Sequence, residues 1–597
     1  MSGSDALPRW NLDPIYPGFD SETYRKDKDA LGNLAEVLLA HMRDAPGGDG
    51  FPGWLREALR LETQAGALEE TLGSYAYTRY SAATTDSKAL AELNSLEEMR
   101  LPLKKAGVLF RNILAARKDE VEARIASDTG IAEYAFHLRE QILWASRQMS
   151  PELEDLAEDL NRAGGDAWGR LQEQVSSTAA MVWDEATGER KTTVQLRALA
   201  TDPDRAVREK AWDLELKAWE LMKLPMAAAL NGVKGFAVTL NRRRGWADPL
   251  EKSIEQCRIT RPTLDALISA MEESLPLWRR YLKIKARYLG VPACAFYDIF
   301  APVGSAPDPW TFGRARDFIV EKFGAFSPDM GAFADRAFRE GWIDAEPREG
   351  KVGGAYCISF PDRKVSRILC NFDGSFGEVS TIAHELGHAY HHEVIKDVPY
   401  PLAQYPMTLA ETASIFAETV VFEEAVKDVS PDQRAGLLES NLQNGCQILV
   451  DILSRFYFEK SVFARRPAAE LGAEELCDLM REAQEATYGD GLDKDRRHPY
   501  MWAVKSHYYS PDLSFYNFPY AFGLLFGLGL YEKYRSQGPS FASAYREILV
   551  QTGRMSAVDL TRRAGFDIEG REFWLGGIEV FKRQVDELER LSVNGKR

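Results

Sequence analysis

Cysteine is scarce in this chain. Six residues (Cys257, Cys294, Cys357, Cys370, Cys446 and Cys477) are scattered over 597 positions with no Cys-x-x-Cys pair. That excludes a dense disulfide framework and reads as reduced, mostly buried thiols in a reducing compartment, so a cytoplasmic protein is expected. Cys357 and Cys370 lie in neighbouring strand-like runs where pairing is open, a core thiol being the simpler reading. Long apolar runs are missing too. The longest, Phe518 to Leu530, ends just before Glu532 and Lys533, whereas a membrane span needs about 20 residues. The opening MSGSDALPRWNLDPIYPGFD has no basic stretch followed by an apolar one, so no secretory signal is read there. Positive charge is in deficit: 74 Lys+Arg stand against 90 Asp+Glu, a net charge of −16. Binding of nucleic acid or of an anionic membrane over the whole surface is therefore not expected. What remains is 45% hydrophobic and 27% charged, the mix of a globular protein. The length suits several domains or one large enzyme body of two lobes.

Most of the chain reads as helix. From Leu55-Arg56-Glu57-Ala58-Leu59 onward, apolar residues return every three or four positions to about residue 125, behind the glycine-rich loop Gly47–Gly53. Asp202-Pro203-Asp204 supplies a cap and an early proline for a helix predicted from Arg205 to about Met222. One region differs. Tyr356-Cys357-Ile358-Ser359-Phe360 and Ser366-Arg367-Ile368-Leu369-Cys370 are rich in strand formers and joined by the turn-like Pro361-Asp362-Arg363-Lys364. The expected fold class is mainly α with a minor sheet.

Just after that sheet the chain reads His384-Glu385-Leu386-Gly387-His388. On a helix the two histidines lie about 40° apart and one turn from each other, so both imidazoles reach one Zn²⁺ at about 2.0–2.1 Å. Glu385 sits about 100° round, placed to lean over a metal-activated water rather than to ligate. Val379, Ile382, Leu386 and Ala389 give the helix a core face on the opposite side. Gly387 lies beside the ligand face, where a missing Cβ permits close approach of substrate or of a neighbouring element. The bland alternative, two surface histidines one turn apart, is weakened because four of the eight histidines fall within residues 384–392.

A catalytic zinc takes three protein ligands and a water. Ten residues after His384 stands Val394, so the metzincin pattern is absent. The thermolysin-like and aminopeptidase-like spacings fall on Thr408 and Met407. The next candidate is Glu411, at the head of the helical stretch Leu409–Glu418. Glu418 lies nearly on the same face, either orienting a histidine or carrying a solvated charge, and His391 also shares the ligand face.

The segment Asn371-Phe372-Asp373-Gly374, then Thr381-Ile382-Ala383-His384-Glu385-Leu386-Gly387-His388-Ala389-Tyr390-His391, with Leu409-Ala410-Glu411-Thr412-Ala413-Ser414 following, resembles the oligoendopeptidase F family of the thimet-oligopeptidase-like zinc metallopeptidases. Trp10-Asn11-Leu12-Asp13-Pro14-Ile15-Tyr16-Pro17 resembles the family's opening, and Ala198–Arg208 the start of its catalytic part. Met501–Tyr509 and Phe515–Tyr520 resemble its histidine-plus-tyrosine segment, although Phe518 interrupts the alternating tyrosines and Ser510–Ser514 looks inserted.

The resemblance implies a two-lobed helical metallopeptidase with a deep central channel, and a small sheet beside the zinc helix that pairs with extended substrate. It implies an N-terminal helical lobe over residues 1–195 and a catalytic zinc-metallopeptidase domain over 196–597. One Zn²⁺ per chain would sit on His384, His388 and Glu411. Glu385 would be the general base, and His507 with Tyr516 or Tyr520 would donate to the oxyanion, Tyr516 being preferred. The partners implied are short unfolded oligopeptides. Two rivals accompany the endopeptidase reading. A dipeptidyl carboxypeptidase carries nearly the same motif. A peptide-binding protein without turnover would be expected to have lost one of these four residues.

Overall fold

The structure is a computed structural model that describes residues 7–305 and 308–594. It is mainly α, with two small sheets. No described helix is long and apolar enough to cross a membrane. The chain forms two compact units, each assembled from three stretches. The first comprises Met1–Arg147, Asp308–Ala425 and Leu530–Gly565; the second comprises Gln148–Pro307, Val426–Gly529 and Phe566–Arg597.

In the first unit, α1 (Glu22–Arg43) is capped by Ser21, whose side chain accepts from the Tyr24 amide. Long helix α2 (Phe51–Ala82) shares with α1 an apolar core that includes Leu38, Leu55, Leu59, Phe110 and Leu114. A second core gathers Tyr16, Tyr24, Leu72, Tyr75 and Phe360. Its rings meet edge to face, Tyr16 and Tyr75 with centroids 5.1 Å apart.

In the second unit a hairpin of β1 (Ala180–Asp184) and β2 (Glu189–Thr192) precedes α3 (Arg205–Arg243), capped by Asp204. The helix predicted to stop near Met222 runs on through Pro225. An interior proline costs about 3 kcal/mol. Trp219, Met226, Leu230 and Val233 are all buried along the same helix, and each large apolar side chain removed from water returns about 1.5–3 kcal/mol. Burial outweighs the proline.

The sheet expected before the histidine helix is present in the first unit. It consists of β3 (Ile343–Asp344), β4 (Tyr356–Phe360) and β5 (Val365–Leu369), in the order β3-β5-β4. β3 runs parallel and β4 antiparallel to β5, with Cys357 opposite Ile368 and Ser359 opposite Ser366. The connection is a short 3₁₀ turn in which Lys364 takes the left-handed conformation, φ +53°. Alternation puts Tyr356, Ile358 and Phe360 on one face, Phe360 entering the aromatic core. Cys357, Ser359 and Ser366 share the other. Against this sheet packs α4 (Phe376–Ile395), and against α4 packs α5 (Thr412–Ala425). The helix α6 (Phe541–Gln551) also packs on α4.

Candidate metal centre

α4 starts where its local sequence says it should. Gly374 turns at φ +86°, Asp373 Oδ1 accepts from the Ser375 amide at 2.8 Å, and Ser375 Oγ caps the Glu378 amide at 3.2 Å. Val379, Ile382, Leu386 and Ala389 are buried as the core face. His384 and His388 stand one turn apart, with ring centroids at 5.0 Å.

α5 brings the third donor. Glu411 lies at a break between the short helix Met407–Ala410 and α5, where its backbone is not held in mid-helix. Its Oε2 sits 3.2 Å from His384 Nε2 and 3.5 Å from His388 Nε2. Ser414 Oγ, one turn on, donates to the same oxygen at 2.7 Å. Among the described residues, His384, His388 and Glu411 form a group whose candidate ligand atoms lie within 4.8 Å of one another. Glu418 Oε2 is 3.1 Å from His384 Nδ1, and its other oxygen accepts from Ser380 Oγ at 3.2 Å. The outer carboxylate thus fixes the ring whose other nitrogen faces the cluster.

Gly387 explains how α5 comes so near. A Cβ there would lie 2.6 Å from Ala413 O and from Ser414 Cα, both backbone atoms. Gly→Ala in a helix interior gains about 1 kcal/mol, but forcing atoms into a packed contact costs about 1–3 kcal/mol, and backbone cannot swing aside as a side-chain end can. Gly387→Ala is therefore expected to lower the melting temperature and weaken metal binding together. A variant that melts higher would show that the contact yields.

The charges suit a divalent cation. Burial pushes the Glu411 carboxyl up, but His384, His388 and the Ser414 hydroxyl outweigh it and hold it near 2, an anion. Burial and the neighbouring His384 charge lower His388 to about 4, leaving a neutral imidazole with a free lone pair. Burial also opposes the charged form of His384, yet Glu411 and Glu418 raise it well above the ordinary histidine value. The spot is electronegative, and cation binding there would displace a proton. Two imidazoles and one carboxylate are the donor set of an open catalytic zinc site, so the residues fit that ion.

Glu385 is buried beside this cluster. Burial pushes its carboxyl up to about 7, with His384 pulling down and Glu411 and Glu418 adding to the rise; the Cys357 backbone amide donates to it. His391 is turned elsewhere. Its Nε2 meets Thr552 Oγ1 at 2.9 Å and Leu549 O at 3.3 Å, and its ring stacks on Tyr405 at 4.3 Å.

In the second unit, His507 lies in the 3₁₀ turn Ser506–Tyr509. Its ring is 6.3 Å from that of Tyr516, and Tyr516 meets Tyr520 edge to face at 5.5 Å. Phe518, which breaks the tyrosine alternation, is core. His507 Nε2 is buried and has no hydrogen-bond partner among the described residues. Burial, with the charges of Arg455, Lys234 and Lys505, lowers His507 to about 3, so its ring is neutral. The hydroxyls of Ser380 and Ser414 and the Cys357 amide were not singled out from the sequence. Only Ser414, three residues after Glu411, left a local signal.

The profile of peptidase family M3 matches residues 325–580, and that of its oligopeptidase F N-terminal part matches residues 112–179. Group B oligopeptidase PepB of Streptococcus agalactiae is 26% identical over 403 residues, 67% of this chain and 66% of that protein. The chain thus aligns with just under two thirds of that relative's length. Oligopeptidase PepF of Bacillus subtilis is 22% identical over 599 residues, 98% of this chain and 88% of the relative. A crystal structure of a Chlamydophila abortus protein superposes with a TM-score of 0.80 at 19% identity, covering 99% of both chains, and so shares the fold. Both profiles match in chain order and together take in just over half of the sequence, so the chain belongs to peptidase family M3, in its oligopeptidase F branch.

Proposed function

We propose that this protein is a zinc-dependent endopeptidase that hydrolyses short, unfolded oligopeptides. The observation that carries the reading is the convergence of His384, His388 and Glu411, with the buried Glu385 carboxyl beside them. One Zn²⁺ per chain on those three residues would supply Lewis acidity to the scissile carbonyl and to a nucleophilic water.

The chain's own groups do the rest. Glu385, lifted toward neutrality, takes the proton of the attacking water and returns it to the leaving amine; a base with a pKa near the working pH is the efficient choice. Glu418 holds His384 in the orientation that leaves Nε2 for the cation. The oxyanion donors that the resemblance implies, His507 and Tyr516, lie together in the second unit, His507 neutral and with an unpartnered Nε2; one such donor is worth about 10²–10³ in rate. β4 is an edge strand that pairs only with β5 among the described residues. Its free side lies at the strand whose Cys357 amide touches Glu385, which supports capture of extended peptide by strand addition.

The test uses a short internally quenched peptide with an amidated C-terminus, with and without a zinc chelator. Cleavage of the blocked peptide that stops on chelation and returns with Zn²⁺ is expected. Cleavage only of peptides with a free C-terminus, releasing dipeptides, would establish the dipeptidyl carboxypeptidase instead. Tight peptide binding with no cleavage in the zinc-loaded protein would overturn both.

A further inference from the structure

We propose that Cys357 and His392 form a second metal site, selective for soft, thiophilic cations such as Cd²⁺ or Hg²⁺, on the helix-facing side of the β4–β5 hairpin. Cys357 Sγ lies 3.8 Å from His392 Nδ1, and Ser366 Oγ lies 3.1 Å from the same nitrogen. At zinc's lengths of about 2.3 Å to sulfur and about 2.0–2.1 Å to nitrogen the gap closes at an angle of about 120°, and the longer bonds of a larger, softer cation narrow that angle while keeping both donors in reach. The donors come from two elements, strand and helix, that the fold already presses together. Tyr405 OH, 3.2 Å from His392 Nε2, fixes the far side of the ring, as the outer partner of a ligating histidine does.

Access and selectivity point the same way. His392, Ser366, Ser359 and Tyr405 line a cavity of about 540 Å³, which opens onto the His392 side of the pair. Cys357 is partly exposed, whereas the other five cysteines are buried. The catalytic donors are nitrogen and oxygen, while this pair offers sulfur and nitrogen, the combination that favours softer ions. Burial lowers His392 to about 3, leaving it neutral with a lone pair to give, and keeps the Cys357 thiol protonated without metal. On binding, the thiol proton leaves to solvent and the thiolate donates its electron pair to the cation, with no change of oxidation state.

The site has a consequence for turnover, which rests on Glu385 acting as the base. The amide of Cys357 holds the Glu385 carboxylate, so a cation that ties the Cys357 side chain to His392 restrains the strand residue on which that carboxylate is hung. Cation binding itself does not depend on the peptidase reading.

Zinc-loaded protein is titrated with Cd²⁺ alone, following the ultraviolet thiolate-to-cadmium charge-transfer band, cadmium bound per chain, and peptide cleavage. The native protein is expected to show the band, to bind one more Cd²⁺ than Cys357→Ser or Cys357→Ala, and to lose at least about tenfold of its own cadmium-free rate. The two variants are expected to show no band and to keep their own cadmium-free rates, and His392→Asn to bind at least about tenfold more weakly. A band and cadmium uptake that persist in both cysteine variants would overturn the site and place the cation elsewhere. A band without loss of rate would support the site and overturn its coupling to Glu385. A protein with no peptidase activity would still report the band, so failure of the functional reading is separable from failure of this one.

Discussion

Replacing Glu385 by glutamine is expected to reduce peptide cleavage by about 10²–10⁴-fold, the span attributed to a positioned general base, while leaving metal content unchanged. Glutamine matches the volume, and its carbonyl oxygen can still accept from the Cys357 amide that the carboxylate now accepts from. What it cannot do is take a proton. The carboxyl is buried and lies close to Glu411 and Glu418, which together with desolvation push it up to about 7, so removing it is not expected to cost stability. Metal analysis, thermal melting and turnover of one preparation make the check. Full turnover in the variant would remove Glu385 from the mechanism, and loss of metal would show that it had been misread as a bystander to coordination.

The second large effect separates Glu411 from Glu418. Both carboxylates reach His384, one at each ring nitrogen, but Glu411 also approaches His388 and completes the three-donor group. Glu418→Gln is expected to weaken zinc binding by about 10–100-fold, the usual loss when an outer partner of a ligating histidine is removed. Glu411→Gln, which takes away one of the three candidate donors, is expected to exceed that and to abolish cleavage at zinc concentrations that saturate the native protein. Equilibrium dialysis against buffered zinc measures both. Equal losses in the two variants would mean that Glu418 shares the coordination, and a larger loss in Glu418→Gln would exchange the two roles.

The residues of the centre differ in how far local sequence announces them. His384 and His388 are fixed by helical pitch alone: four residues on a helix put two rings on one face, and the apolar stripe Val379, Ile382, Leu386 and Ala389 says which face is buried. The hairpin before them was equally plain, because alternation and turn chemistry are short-range. Glu411 was identifiable as a candidate, but the break that frees its carboxylate, with Ala410 ending one helix and Thr412 beginning the next, is set by how α5 docks on α4. Gly387 announced a close approach without naming the neighbour, which is the backbone of Ala413 and Ser414. His391 and His392 are adjacent on one helix and look alike in sequence. They part only because α6 offers Thr552 and Leu549 to one, while the hairpin and Tyr405 take the other.

The sequence by itself determined a mainly helical protein, the placing of His384, Glu385 and His388 on one helix, and the family to which those motifs point, because pitch, alternation, capping and spacing act over a few residues. Tertiary structure alone decided the course of α3 through Pro225, the meeting of His507 with Tyr516, and the assembly of each compact unit from three separate stretches. Those outcomes depend on burial and hydrogen bonds between residues far apart in the chain, and a local pattern carries no record of a distant partner.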